Sequence, residues 1–220
     1  MGFEDKYLGL PTPDGRMSKG KFQNLQAKLL KRLMQWGDGF LAQTGREVLI
    51  TSVAQAPPTY IMGIFKLPYS VCDDLTALVR AFYWGANAGQ RKVHWKAWPC
   101  LQQPKDKGGL GFRDFRIFNQ ALLARQAWRL LFRPDSLCAR LLKSKYYPNG
   151  NLEDTVFTGN ASPTRTTISH GLELLKKGLI WRIGDGSKIR VWRDNWMPRP
   201  FSYKPISQQG RCRIRFFRGF

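Results

Sequence analysis

Two adjacent aspartates, Asp73 and Asp74, follow Val71-Cys72 and precede Leu75. Paired carboxylates in an apolar setting can hold the two magnesium ions of a polymerase or nuclease. The neighbours of this pair favour another role. Ser70 stands three residues before Asp73, the spacing of a capping box with Asp in place of Glu. The pair is therefore expected in the first turn of a helix, where carboxylates satisfy free N–H groups and oppose the positive end of the helix dipole. A two-metal centre also needs a third carboxylate, and Glu4, Asp5, Asp14, Asp38 and Glu47 fall in no metal-ligating pattern. Gly184-Asp185-Gly186 and Lys107-Gly108-Gly109-Leu110-Gly111 are glycine-rich, but neither has the spacing of a phosphate-binding loop between a strand and a helix, so both read as turns. His94 and His170 have no Ser, Cys or carboxylate at triad spacing and read as structural or surface imidazoles. Cys72, Cys100, Cys138 and Cys212 form no C-x-x-C pair, which gives no readable zinc site and fits reduced thiols better than a disulfide framework. No metal and no cofactor is expected.

The stronger signal is basic residues interleaved with aromatics. Lys21, Lys28 and Arg32 lie in one helical stretch and Arg125, Arg129 and Arg133 in another. A row with one cation per helical turn, about 6 Å apart, matches consecutive phosphates along a strand. A solvated helix face would give the same spacing, but it needs both signs of charge, and these rows have few carboxylate neighbours. With Arg46, these six are the candidate phosphate contacts. Trp181, Arg182, Lys188, Arg190, Trp192 and Arg193 add a basic, aromatic segment in which the tryptophans are expected to pack in a core rather than stack on bases.

The elements that must position these residues are mainly helical. From Ser18 to Trp36, the residues Phe22, Leu25, Leu29, Leu33 and Trp36 recur at steps of three or four, placing Lys21, Lys28, Arg32 and Gln35 on the far side, and Gly37 and Gly39 end the helix. A second helix is expected over 45–55, with Val48, Leu49 and Ser52 or Val53 facing inward, until Pro57-Pro58 breaks it. Leu75, Leu78, Val79 and Phe82 mark a third, closed by Gly85 to Gly89. Residues 85–114 read as a loop-rich insert with a short strand at Val93-His94-Trp95-Lys96. Helices follow over 115–132, 136–146 and 167–177, the last capped by Gly178. Ile180-Trp181-Arg182-Ile183 and Ile189-Arg190-Val191-Trp192 flank Gly184-Asp185-Gly186-Ser187, which predicts a β-hairpin.

The chain carries 36 Lys and Arg against 15 Asp and Glu, a formal charge of +21. That excess implies a polyanionic partner, nucleic acid before an anionic membrane surface. At 43% hydrophobic and 13% aromatic residues, the chain is too apolar for a disordered basic tail and has enough to bury a core. The basic groups concentrate at 101–150 (10 against 3 acidic) and 181–220 (10 against 2), separated by a neutral stretch. The longest apolar stretch, around 60–65, is too short to span a bilayer, and the start of the chain lacks the charge and apolar run of a secretory signal.

Read in order, several strings resemble the region just after the polymerase core in plant LINE-type (non-LTR) retrotransposon reverse transcriptases. They are Lys6-Tyr7-Leu8-Gly9-Leu10-Pro11; Gly45-Arg46-Glu47-Val48-Leu49-Ile50 with Ser52-Val53; Ala56-Pro57-Pro58-Thr59-Tyr60; and Phe82-Tyr83-Trp84-Gly85. Further along come Pro104-Lys105 with Gly108-Gly109-Leu110-Gly111-Phe112-Arg113-Asp114; Phe118-Asn119-Gln120-Ala121-Leu122-Leu123-Ala124; Lys145-Tyr146-Tyr147-Pro148; and Ile183-Gly184-Asp185-Gly186 followed by Trp192-Arg193-Asp194-Asn195-Trp196. The order and spacing cover about residues 6–205, and similar open reading frames occur in plant mitochondrial genomes. One departure falls at 162–170, where the family usually has an aromatic and a Trp-Arg pair and this chain has Thr164-Arg165-Thr166-Thr167.

The resemblance implies a mainly α fold. Residues 1–92 correspond to a thumb-like helical region, 93–205 to an α+β connection with helices and the C-terminal β-hairpin, and 206–220 to a basic tail. In the family the catalytic aspartates precede the Tyr-Leu-Gly-Leu-Pro string, so Asp73-Asp74 is not the catalytic pair and no catalytic residue is expected here. The expected function is sequence-independent binding of RNA or DNA, duplex or hybrid, through phosphate contacts by Lys21, Lys28, Arg32, Arg46, Arg125, Arg129 and Arg133. An upstream polymerase palm segment is the second partner implied, and no membrane partner is. Two alternatives stay open: part of a larger or split reverse transcriptase, and a decayed element with no selected role. The compartment is open between nucleus and mitochondrion.

Overall fold

The computed structural model describes residues 6–12, 17–37, 41–85, 93–155, 157, 162–187, 189–192, 194–197 and 203–205. The basic tail 206–220 and the side chains of Trp36, Lys188 and Arg193 lie outside the described residues. The chain divides into two compact units, Met1–Leu175 and Lys176–Phe220.

The first unit is built from helices, as expected. A two-stranded antiparallel ribbon, β1 (Lys6–Tyr7) and β2 (Leu10–Pro11), opens it, turning at Leu8 and Gly9 with φ of 52° and 76°. Then come α1 (Gln23–Gly37), led by a 3-10 turn at Lys19–Phe22, α2 (Gln43–Leu49), α3 (Pro57–Met62), α4 (Tyr69–Trp84), α5 (Trp98–Gln102), α6 (Phe115–Phe132), α7 (Leu137–Tyr146) and α8 (Pro163–Gly178). The periodicity of α1 holds: Phe22, Leu25, Leu29 and Leu33 are buried, and with Ile50, Met62, Val71, Leu75 and Val79 they close a core with α2, α3 and α4. The bounds of α6 are those read from the sequence. Asp114 caps it, its Oδ1 accepting the N–H groups of Arg116 (2.8 Å) and Ile117 (3.3 Å), and Ser136 caps α7 through the N–H of Ala139. A second cluster gathers Ala127, Tyr147, Leu152, Ile168 and Leu172.

Side-chain competition and helix register account for four departures from expectation. After Leu49 the helix widens into a π turn over Ile50–Ala54, in which the N–H of Gln55 reaches back to Ile50 O (3.1 Å). The hydroxyls of Thr51 and Ser52 bond the carbonyls of Glu47 and Val48 there. The wider turn rotates the inward face: Ile50 and Ala54 are buried, whereas Val48 and Ser52 are exposed. Secondly, α4 starts at Tyr69 with Pro68 before it, and Ser70 makes no capping bond. Asp73 and Asp74 therefore sit beyond the first turn, and their carboxylates tie helices together instead of capping one. Thirdly, Val93-His94-Trp95-Lys96 is not a strand; His94 stacks on Trp84 (5.6 Å between ring centroids). Finally, α8 begins four residues earlier than its apolar pattern suggests, where Ser162 Oγ accepts the N–H of Arg165 (3.3 Å).

The glycine-rich string at 107–111 acts as turns, as expected. Gly108 and Gly111 hold φ of 76° and 72°, a region open to glycine. The N–H of Leu110 returns to Leu101 O (2.9 Å), that of Gly111 to Gln103 O (2.9 Å), and Phe112 stacks on Trp98 (5.1 Å) against Tyr83.

One buried ionisable group makes stability pH-dependent. His170 on α8 is buried, with Nδ1 3.5 Å from Glu173 Oε2, and burial, aided by the charge of Lys66, pulls its pKa below the ordinary 6.5 despite Glu173. A histidine held neutral in the fold binds its proton more readily when unfolded. Its contribution is therefore present above about pH 6.5 and lost as the pH falls toward the depressed folded value. Thermal melts are expected to fall between pH 7 and 5 in the wild type, and less steeply in His170→Gln; equal slopes would remove His170 as the cause.

The second unit contains no strand among its described residues, so the predicted hairpin is not formed. Its backbone groups are taken by side chains and by the chain further on. The Arg190 guanidinium forks onto Asp194 Oδ1 (Nε 3.1 Å, Nη2 3.0 Å), while the Arg190 N–H bonds Asp194 Oδ2 (2.8 Å). The N–H of Trp181 donates to Asn195 O (2.7 Å), not to a facing strand. Asn195 Nδ2 donates to the carbonyls of Lys176 and Leu179, and Trp196 Nε1 to that of Val191 (2.8 Å). Asp185 Oδ1 accepts both donors of Ser187, which completes the turn at Gly186. Asp194, Asn195 and Trp196 thus scaffold their own loop.

Candidate nucleic-acid interface

The cationic residues predicted to meet phosphate fall into three settings. On α1, Lys28 and Arg32 are exposed, one turn apart, flanking the stripe of buried Phe22, Leu25, Leu29 and Leu33. Lys31 joins them, and the sequence of α1 contains no carboxylate. Lys31 lies off the row of one cation per turn that the spacing of Lys21, Lys28 and Arg32 marks in the sequence. Lys21 is half-buried: its Nζ donates to Thr12 O (3.2 Å), and it lines a small cleft with Gly9, Pro11, Asn24 and Lys28. Lys21 therefore joins α1 to the segment that follows the ribbon, with Lys28 at its side.

Arg46 is placed apart from that row, on α2. Its Nη1 donates to Tyr83 O (3.4 Å) at the C-terminal end of α4, where Gly85 takes φ +66°. A Cβ on Gly85 would meet this guanidinium, lying 2.9 Å from its Cζ. A cation at a helix C-terminus is favoured by the dipole and by the free carbonyls. The structure gives Arg46 this capping work within the fold.

Arg125 and Arg129 are exposed, one turn apart on α6. Arg133 lies just past the helix end, its N–H bonded to Arg129 O (3.0 Å), with φ −125° and ψ 69°. The row is therefore two residues long on the helix, and the third cation follows the turn. Trp128 and Phe132 are interleaved with it and stack on each other (5.8 Å, 19° between planes). The exposed residues of α7 continue the basic character with Arg140, Lys143 and Lys145. From Phe115 to Tyr146 the sequence holds seven basic residues and one carboxylate, Asp135.

Among the described residues, Asp73 and Asp74 of α4 are engaged by cations outside these rows. Asp73 receives Arg116 from α6 (Nε–Oδ1 3.0 Å, Nη2–Oδ1 2.6 Å), and Asp74 receives Lys19 (2.6 Å) and Gln26 (2.8 Å). Lys19 holds the Asp74 carboxyl below its usual range, and Asp73 keeps Arg116 charged. The bidentate Arg116 pair joins α4 to α6, and the Lys19 and Gln26 contacts join α4 to the start of α1. Among the described residues no group of three or more His, Cys, Asp or Glu gathers as a metal site, and no helix is long and apolar enough to cross a membrane. Cys72, beneath Asp73, has its thiol pushed up to about 11, first by burial and then by that carboxylate.

The support behind these faces rests on two residues whose roles periodicity alone does not expose. Asn119 on α6 is buried, its Nδ2 donating to Met62 O (2.7 Å) and Phe65 O (3.0 Å) while its Oδ1 accepts the N–H of Leu67 (3.0 Å). Gly171 on α8 lets the α6 backbone approach so closely that a Cβ would lie 2.6 Å from Leu123 C and 2.9 Å from Ala124 N. Gln120 Nε2 to His170 O (3.3 Å) and the Lys66 N–H to Thr167 Oγ1 (3.2 Å) complete the joint.

Comparison with known proteins gives two relatives, both from Arabidopsis thaliana. The chain is 42% identical over 153 residues to the "Uncharacterized mitochondrial protein AtMg00310", covering 69% of this chain and 99% of that one. It is 33% identical over 201 residues to the "Putative ribonuclease H protein At1g65750", covering 90% of this chain and 32% of that one. The chain thus spans about a third of the second relative. No family model matches.

Proposed function

The chain belongs to the family of the Arabidopsis mitochondrial protein AtMg00310, and from that premise we propose that it is a retroelement-derived nucleic-acid binder. In this reading it corresponds to the thumb and connection of a LINE-type reverse transcriptase, 1–92 and 93–205, and grips duplex or hybrid through phosphates without a chemical step of its own. The observation that carries the reading is the cationic face of α1, where Lys28, Lys31 and Arg32 stand exposed on a helix without carboxylates. Arg125, Arg129 and Arg133 extend the same chemistry on and beyond α6, and the mitochondrial and ribonuclease H names of the relatives suit a retroelement origin.

Phosphate neutralisation releases counterions, so affinity for duplex falls with salt at a log–log slope of about −0.9 per phosphate. Removing three contacts with Lys28→Gln, Lys31→Gln and Arg32→Gln together is expected to flatten that slope by about 2 to 3. Fluorescence anisotropy against RNA–DNA hybrid and duplex DNA at several salt concentrations measures it. An unchanged slope would remove α1 from the interface, and absence of binding at moderate salt would overturn the reading. A second reading, favoured by the 32% span within the ribonuclease H relative, is that the segment works inside a longer polypeptide. Palm activity that rises on adding this chain in trans would support it.

A further inference from the structure

The C-terminal half of α6 pairs exposed aromatics with arginines in a way that duplex contacts alone leave unused. Phe132 is 70% exposed and Trp128 is 44% exposed, yet the two rings stack at 5.8 Å with planes 19° apart. Arg125 precedes Trp128 by three residues and Arg129 precedes Phe132 by three, so each ring has a guanidinium on the neighbouring helical turn. A large aromatic left in water is unfavourable unless a partner covers it, and the outer face of Phe132 is open to continue the column begun by Trp128.

We propose that this strip is a docking site for single-stranded nucleic acid, in which an unpaired base stacks on Phe132 and the adjoining phosphates meet Arg125 and Arg129. The inference rests on the reading of the chain as a nucleic-acid binder and assigns this face a different substrate form, the unpaired strand. Charge complementarity selects that occupant. Arg125 and Arg129 stand about one 5.4 Å turn apart, and Asp135 is the single carboxylate between Phe115 and Tyr146. Planar rings between cations suit a base flanked by phosphates, because every base offers a π-face whatever the sequence. Duplex offers no such face along its length, since its bases are already stacked on each other.

The test compares a uridine oligonucleotide with an abasic strand of equal phosphate number, by anisotropy at moderate salt. Wild-type chain is expected to bind the base-bearing strand more tightly. Phe132→Ala and Trp128→Ala should each weaken that strand by about five- to a hundredfold and leave the abasic strand unchanged, with Phe132→Trp restoring the loss. Arg125→Gln and Arg129→Gln should weaken both strands. Photocrosslinking from 4-thiouridine should map to 128–132. Both alanine changes are at exposed positions, so circular dichroism should report an intact fold. Equal affinity for the two strands, or an alanine variant that binds like wild type, would overturn the proposal. So would a dimer in sedimentation that Phe132→Ala dissolves without altering strand affinity. Salt-dependent duplex binding alongside equal strand affinities would remove the stacking site alone; loss of all binding would remove the parent reading with it.

Discussion

Asn119→Leu is expected to destabilise the chain by about 3 kcal/mol, although leucine keeps the same branching of heavy atoms. The cost comes from the three backbone groups that the amide serves. Without it the N–H of Leu67 loses its acceptor, and the carbonyls of Met62 and Phe65 lose their donors, all in a buried setting. Leaving a buried polar group unsatisfied costs about 1–3 kcal/mol, and the three losses are not additive because the segment 62–67 relaxes as one loop. Asn119→Asp separates polarity from geometry. A carboxylate would face two carbonyls, so this variant should melt lowest near neutral pH and recover partly as acid protonates it and returns one donor. Chemical denaturation of both variants measures the effect. A loss below about 0.5 kcal/mol in Asn119→Leu would mean that the loop finds other partners and that the amide is dispensable.

Gly171→Ala is expected to be nearly as damaging, by about 3 kcal/mol, through a single methyl group. Its Cβ would enter the backbone of α6, at the carbonyl of Leu123 and 2.9 Å from Ala124 N. Backbone does not yield as a flexible side chain does, so α8 must move away from α6. The shift stretches Gln120 to His170 and Lys66 to Thr167 and loosens Ile168 and Leu172 in the second cluster. Overpacking of this kind costs about 1–3 kcal/mol, and the coupled bonds place this case at the upper end. Gly178→Ala is the control, because nothing lies within 4 Å of its added Cβ. Its melting temperature should match the wild type. If both alanine variants melt alike, the approach of α8 to α6 is not limiting.

These two residues also show what the sequence conveys and where it stops. Asn119 lies in a recognisable string and Gly171 in a helical pattern, yet neither signals its work. Their importance is set by backbone more than 40 residues away in sequence, which no local period encodes. Arg46 is a similar case, since its charge alone does not show that its guanidinium reaches the carbonyl of Tyr83 at the end of α4. The aspartate pair shows the same limit: Ser70 and Asp73 have the spacing of a capping box, but Pro68 sets the helix start two residues earlier, and the partners Arg116 and Lys19 lie 43 and 55 positions away.

What the sequence determined by itself was the helical class, the limits of α6, the buried face of α1 and the surplus of positive charge. Each follows from composition or from residues within a few turns of one another, where spacing and burial are linked directly. Only the tertiary structure decided the rest. It turned the expected hairpin into a loop held by Asp194 and Asn195, and it rotated α2 through a π turn. It engaged Asp73 and Asp74 with distant cations, and it left Trp128 and Phe132 in solvent. Two kinds of contact decided these points: side chains that bond within a turn or so of their own position, as Thr51, Ser52 and Arg190 do, and ion pairs between groups remote in the chain, as Asp73 and Asp74 make; both outweigh the small local preferences that a sequence displays.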